Sequence, residues 1–126
     1  VQADTGWGLR LGSTSWIFQA KIATGMPLTW GGSHGMSADT WYHCAWVFDR
    51  DTYPNRTVSF YRDGVYINQE NIIGDPQDYD NADDFFIGKV LYNESYRYYE
   101  GAMDDLWIYN SALSAQQILA LSKTLA

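Results

Sequence analysis

The stretch "RTVSFYRDGVYINQEN", residues 56–71, constrains the fold more than any other part of the chain. Two runs rich in β-branched and aromatic residues flank Asp63-Gly64. A two-residue hairpin turn needs positive φ, which glycine adopts at no steric cost, so Asp-Gly between such runs specifies an antiparallel pair. Strands are therefore expected over 56–64 and 65–71. The rest of the chain reads the same way, as short strands between turn signals at a spacing suited to an antiparallel sandwich. "WGLRL" (7–11) alternates, and "WIFQAKI" (16–22) follows a Gly-Ser-Thr-Ser turn. "TWGGSHGMSADT" (29–40) reads as a glycine-rich loop, and "WYHCAWVFD" (41–49) as a central strand covered on both faces. An acidic loop at 74–84 precedes strands at 85–90 and 98–110. One helix is expected, over 115–122. Ser114 and Gln117 form its capping box, and Leu113, Ile118, Leu121 and Leu125 share one apolar side.

At 126 residues the chain is one domain, 1–126, or the C-terminal part of a fuller one. Aromatic residues make up 17%, more than one small core can hold, so some rings are expected at the surface. The net charge is −7 and the basic residues are scattered, which leaves no stripe to bind a phosphate backbone and argues against nucleic acid. The apolar runs are only a few residues long, so no membrane insertion is expected. Cys44 is the single cysteine, which excludes an internal disulfide. Its place in an apolar strand reads as a small buried hydrophobe, not a nucleophile. The chain begins with Val1 and carries no signal peptide, which is consistent with a removed leader or a longer parent.

Within "EGAMDDLWIYN" (100–110) two adjacent carboxylates interrupt an apolar strand. Neighbouring strand residues point to opposite faces, so Asp104 would share a face with Leu106 and Ile108, and Asp105 with Met103, Trp107 and Tyr109. At least one carboxylate is then expected to be partly buried, and a buried carboxylate needs hydrogen bonds, a cation or a metal ion.

From Trp41 onward the sequence resembles the laminin-G-like domains of the concanavalin A-like lectin/glucanase superfamily. The matching pieces, in order, are "WYHCAWVFD", "VSFYRDG", "FFIGKV" and "YEGAMDDLWIYNSALSAQQILAL". The resemblance covers roughly residues 41–121, while 1–40 fits it loosely. It implies an all-β, antiparallel two-sheet jelly-roll sandwich with a short C-terminal helix. The strands that open such domains are expected to be missing here. That would leave an open sheet edge for another chain to pair with, and self-association involving residues 1–22 is expected. The resemblance also implies that Asp104 or Asp105 helps bind a structural calcium ion. The alternative is that one of them accepts backbone hydrogen bonds while the other faces solvent. No other cofactor is expected.

Other candidate chemistry is weaker. The acidic loop (Asp75, Asp78, Asp80, Asp83, Asp84) is not an EF-hand, because Asp83 stands where the glycine is required and Lys89 where the final glutamate belongs. His34 and His43 lack the spacing of a metal pair. His43 reads as a structural residue of its strand and His34 as a loop residue. The glutamates are Glu70, Glu94 and Glu100, and none lies in the Glu-x-Asp-x-x-Glu pattern of the superfamily's glucanases, so no enzyme is expected.

Aromatic residues carry the remaining signal. Trp41, Trp46 and Trp107 lie in expected strands and are assigned to the core. Trp30, Tyr92, Tyr96, Tyr98 and Tyr99, with Arg97, lie in expected loops and are the candidate ligand-binding residues. Flat rings stack on sugar C–H surfaces, and the same residue types are enriched at protein interfaces. Asn55 and Asn93 stand in glycosylation sequons. The reading is a non-catalytic extracellular or cell-surface module that binds carbohydrate or an extracellular protein. The second reading is a structural subunit that self-assembles through open sheet edges.

Overall fold

The computed structural model describes residues 7–20, 28–49, 56–72, 85–92 and 95–124. The Asp63-Gly64 turn forms as expected, with positive φ at both residues (52° and 80°). It joins β5 (Thr57–Arg62) to β6 (Val65–Asn71), and β4 (Cys44–Asp49) pairs with the other side of β5. A second three-stranded antiparallel sheet holds β1 (Trp7–Leu11), β2 (Ser15–Ala20) and β3 (Leu28–Ser33) in sequential order. A short hairpin, β7 (Lys89–Tyr92) with β8 (Ser95–Tyr98), and helix α1 (Ala115–Thr124) complete the elements. The all-β architecture with a short C-terminal helix is borne out.

The two sheets face each other through alternate residues. Trp16 and Phe18 on β2 and Trp30 on β3 meet Val58 and Phe60 on β5, and all five are buried. Ring contacts cross the interface: Trp16 with Phe60 at 5.9 Å and Phe18 with Phe48 at 5.2 Å. Such offset aromatic pairs each add about 1 kcal/mol beyond the area they bury. A β-bulge opposite Phe60 shifts the register of β6, so that Asn68 pairs with Phe60 and Ile67 is left over. Asn68 then reaches the interior, where Oδ1 accepts from the Trp16 indole N–H at 2.6 Å and Nδ2 donates to the Ser33 carbonyl at 2.8 Å. One side chain on the second sheet thus binds two strands of the first.

The helix packs close to the Asp63-Gly64 turn. A Cβ at Gly64 would collide with the Ser122 hydroxyl and sit 3.0 Å from Leu119 Cα, so glycine serves both the turn and the approach of the helix. The capping box is present in both directions: the Ser114 amide donates to Gln117 Oε1 at 2.8 Å, and the Gln117 amide to Ser114 Oγ at 3.2 Å. Ile118 is buried and Leu121 and Leu113 are half-buried, as the spacing predicts. Leu125 lies outside the described residues.

Three expectations are corrected. The glycine-rich stretch expected as a loop begins with a strand, β3, because Trp30 fills the core and the ladder with β2 outweighs glycine's poor strand propensity. At Gly31 a Cβ would collide with the Trp16 carbonyl oxygen, so the close approach of these strands requires the glycine. The strand expected over 85–90 starts only at Lys89, after Gly88 takes φ 79°. Residues 101–109, expected inside the last strand, carry no strand pairing and are exposed throughout. Trp41 (69% exposed) and Trp107 (67%) are accordingly not core residues. Residue 41 precedes β4, and 107 lies in the unpaired segment.

Because Asn68 is the acceptor of the buried Trp16 N–H among the described residues, Asn68→Ala is expected to lower unfolding free energy by about 1–3 kcal/mol. In a Trp16→Phe background the loss should be smaller, since no indole donor remains to be orphaned. Urea denaturation of the four proteins in a double-mutant cycle measures this, and equal losses in both backgrounds would refute the tie.

Candidate functional site

The β7–β8 hairpin gathers most of the candidate residues. Tyr96 and Tyr98 are two apart on β8 and therefore share a face, with ring centroids 6.4 Å apart. Phe86 meets Tyr96 edge-on at 6.4 Å. Lys89 Nζ lies 4.5 Å from the Phe86 ring centroid and 4.8 Å from that of Tyr96, which places an ammonium against two aromatic rings. Tyr99 continues the pairing through its amide, which donates to the Gly88 carbonyl at 2.7 Å. Tyr96, Tyr98 and Tyr99 are exposed, and Arg97 is exposed between the first two. The result is a face of Tyr96 and Tyr98 with Lys89 beside them, while Arg97 belongs to the opposite face of β8.

The other candidates fall elsewhere. Trp30, expected as a loop ring free to stack on a ligand, is on β3, buried, and stacked on Phe18 at 6.0 Å; its ring is spent on the core. Tyr92 belongs to β7, but its side chain lies outside what is described. Asn55, Asn93 and the acidic loop 74–84 also lie outside the described residues. Phe86 and Lys89 were missed by the sequence reading. Their signal was the short spacing between "FFIGK" and "SYRY", which two facing strands turn into side-by-side contacts.

Asp104 and Asp105 do not sit in a strand and are exposed, which corrects the expected partial burial. Asp105 takes φ 50°, a left-handed conformation that Asp tolerates better than most residues, and its amide donates to Asp104 Oδ1 at 2.9 Å. Among the described residues no three His, Cys, Asp or Glu side chains converge to hold a metal ion. Calcium needs six to eight oxygen ligands. The pair supplies two exposed carboxylates toward that number, one of them already accepting from the Asp105 amide.

A trough of about 410 Å³ lies over β2 and β3, lined by Trp16 and Ile17 as well as Thr14, Ser15, Thr29 and Ser33, with Gly31 and Gly32. Thr29 Oγ1 accepts from Gln19 Nε2 at 3.1 Å. The trough is shallow, and its floor is strand backbone at the glycines.

The two histidines differ in their surroundings. His34 is buried; its Nδ1 accepts from the Met36 amide at 2.9 Å, so Nε2 carries the proton and donates to the Gly12 carbonyl at 3.1 Å. Arg62 Nη1 donates to the carbonyls of His34 (2.9 Å) and Gly35 (2.6 Å), anchoring the loop that follows β3. At His43 the backbone amide bonds Asp63 Oδ1 at 2.9 Å, and the buried Nδ1 has no partner among the described residues. Cys44 is half-buried with its Sγ 3.4 Å from Met36 Sδ. Burial first, and the nearby Asp63 carboxylate second, push its thiol up to about 11, opposite to what a nucleophile needs.

Two facing antiparallel sheets with an aromatic interior and a trailing helix define a lectin-like β-sandwich. Residues 1–119 match a laminin G family model described as the concanavalin A-like lectin/glucanases superfamily, and the chain belongs to that family. Among solved structures it is similar to a crystal structure of an S-layer domain-containing protein from Clostridium thermocellum, with a TM-score of 0.57 and 21% identity. The similarity covers 97% of this chain and 66% of that one. No curated protein matches the chain.

A thiol whose pKa is raised by folding favours the native state while it stays protonated. The Cys44 contribution should be full below pH 9 and lost as pH rises through about 11. Unfolding free energies of the native chain and Cys44→Ala, measured from pH 7 upward, should keep a constant difference to pH 9 and converge above it. A difference independent of pH to 11 would show that the thiol is not held protonated.

Proposed function

We propose that this domain is a non-catalytic binding module displayed outside the cell, with carbohydrate as its ligand at the tyrosine face of the β7–β8 hairpin. The observation that carries the reading is the pair Tyr96 and Tyr98, exposed on one face of a strand with Lys89 beside them. Flat rings offer a stacking surface to sugar C–H groups, and the phenol and ammonium groups supply donors for the hydroxyls. The family supports a binding role. The absence of the glucanase carboxylate pattern from the sequence supports a non-catalytic one. The S-layer domain-containing neighbour supports placement at a cell surface.

A second reading, a structural subunit that associates with itself, is favoured by a separate observation. Phe85, Ile87, Met103, Leu106, Trp107 and Ile108 are all at least half exposed. Soluble monomers rarely expose contiguous apolar area beyond a few hundred Å².

An exposed polar sugar site gains little after desolvation, so binding is expected in roughly the micromolar to millimolar range. In a titration of neutral and acidic oligosaccharides followed by backbone chemical shifts, residues 86–89 and 96–99 should move. Tyr98→Ala should weaken binding about tenfold without altering the fold, consistent with the loss of one stacking ring worth about 1 kcal/mol or slightly more. If no glycan moves these residues, the carbohydrate reading fails.

A further inference from the structure

The segment between β8 and α1 is bare in a way that specifies its partner. Met103, Leu106, Trp107, Ile108 and Tyr109 are between 46% and 67% exposed, and consecutive residues are bare alike. The backbone is equally bare. Among the described residues, the amides and carbonyls of 101–109 form no backbone–backbone hydrogen bond, and the local bond is the one from the Asp105 amide to Asp104. An unpaired row of backbone donors and acceptors with large apolar side chains is a template for strand pairing.

We propose that residues 101–109 form the strand through which two copies of this chain associate. This rests on the self-associating reading given above and deepens it by naming the surface. The area fits. With Phe85 and Ile87, the exposed parts of Met103, Leu106, Trp107 and Ile108 come to roughly 700 Å² at about 200 Å² per side chain, close to the ~800 Å² each partner contributes to a stable interface. The symmetry also fits. A second copy presents the same bare segment, and antiparallel pairing about a two-fold axis lets each strand satisfy the other's backbone. Asp105, at φ 50°, breaks the extended run, so the ladder covers 106–109. A register with Ile108 opposite Ile108 of the other copy, on the two-fold axis, sets Trp107 against Tyr109 and leaves Asp104 and Asp105 beyond the ladder, which keeps the carboxylate pairs from facing each other. Two chains of net charge −7 repel, so salt strengthens the association.

Sedimentation equilibrium from micromolar to millimolar concentration tests this, alongside amide hydrogen exchange of 102–109. The expected result is a dimer that tightens with added salt and slows exchange at 106–109 as concentration rises. The double variant Trp107→Lys, Ile108→Lys changes only exposed side chains and should weaken the dimer at least about tenfold, as loss of a central aromatic anchor does. Near-ultraviolet circular dichroism from the buried Trp16 and Trp30 checks that it remains folded. A monomer at every concentration overturns both this inference and the self-associating reading. A dimer indifferent to the double variant overturns this inference alone and moves the contact elsewhere.

Discussion

Trp16 is wholly buried, and an indole N–H taken out of water must find an acceptor inside the protein. Asn68 is that acceptor, and its amide at the same time holds the Ser33 carbonyl. The rest of the sandwich depends on this arrangement. Apolar contact between facing sheets is non-directional and would tolerate a shift by a residue or more, whereas two hydrogen bonds from one side chain to β2 and β3 allow a single relative position. The tie needs the bulge in β6 to bring Asn68 inward. It also needs Gly32 opposite, since a Cβ there would stand 2.9 Å from the Asn68 amide nitrogen. Three local features separated in sequence therefore serve one contact.

Next to this tie, polar side chains secure the loop that leaves β3. His34 bonds the Gly12 carbonyl and the Met36 amide, while Arg62 reaches from β5 to the carbonyls of His34 and Gly35. The Ser37 amide donates to the Tyr42 hydroxyl at 3.1 Å, which lowers the Tyr42 pKa from its ordinary value. These bonds engage backbone groups that lie outside the strand ladders. The same surroundings disfavour His34 and Cys44 as reactive groups. His34 has both ring nitrogens engaged, and Cys44 is kept protonated by its surroundings.

Elements defined by local rules were legible in the sequence, and elements that depend on a distant partner were not. The Asp63-Gly64 turn, the Ser114–Gln117 box and the alternation of β1 and β6 are each fixed within a few residues, so pattern located them closely. Trp30 looked free because glycines surround it, yet what places it in a strand is β2, paired with it across the ladder. Trp107 looked buried because its neighbours are apolar and alternate. Alternation shows that a segment suits a sheet, not that a sheet is there to receive it. The candidate site was partly readable for the same reason: Tyr96 and Tyr98 follow from strand spacing, while Lys89 and Phe86 depend on the facing strand.

The surplus aromatic and aliphatic residues separate by chemistry in a way that bears on function. Trp16, Phe18, Trp30 and Phe60 fill the space between the sheets with Trp46 and Phe48 packed against them, and other large side chains stay outside. Tyr96 and Tyr98 share a face with Lys89, where each ring keeps a polar tip in water. Phe85, Ile87, Leu106, Trp107 and Ile108, with Tyr109, occur in the two flanking stretches, where the 101–109 backbone is also unpaired among the described residues. A tyrosine surface loses little by remaining wet and suits a hydrated ligand such as a glycan. An aliphatic surface on an unpaired strand loses more by remaining wet, and polypeptide matches it in both side chain and backbone. The two surfaces are therefore not competing accounts of one site, because each is built from residues suited to a different kind of partner.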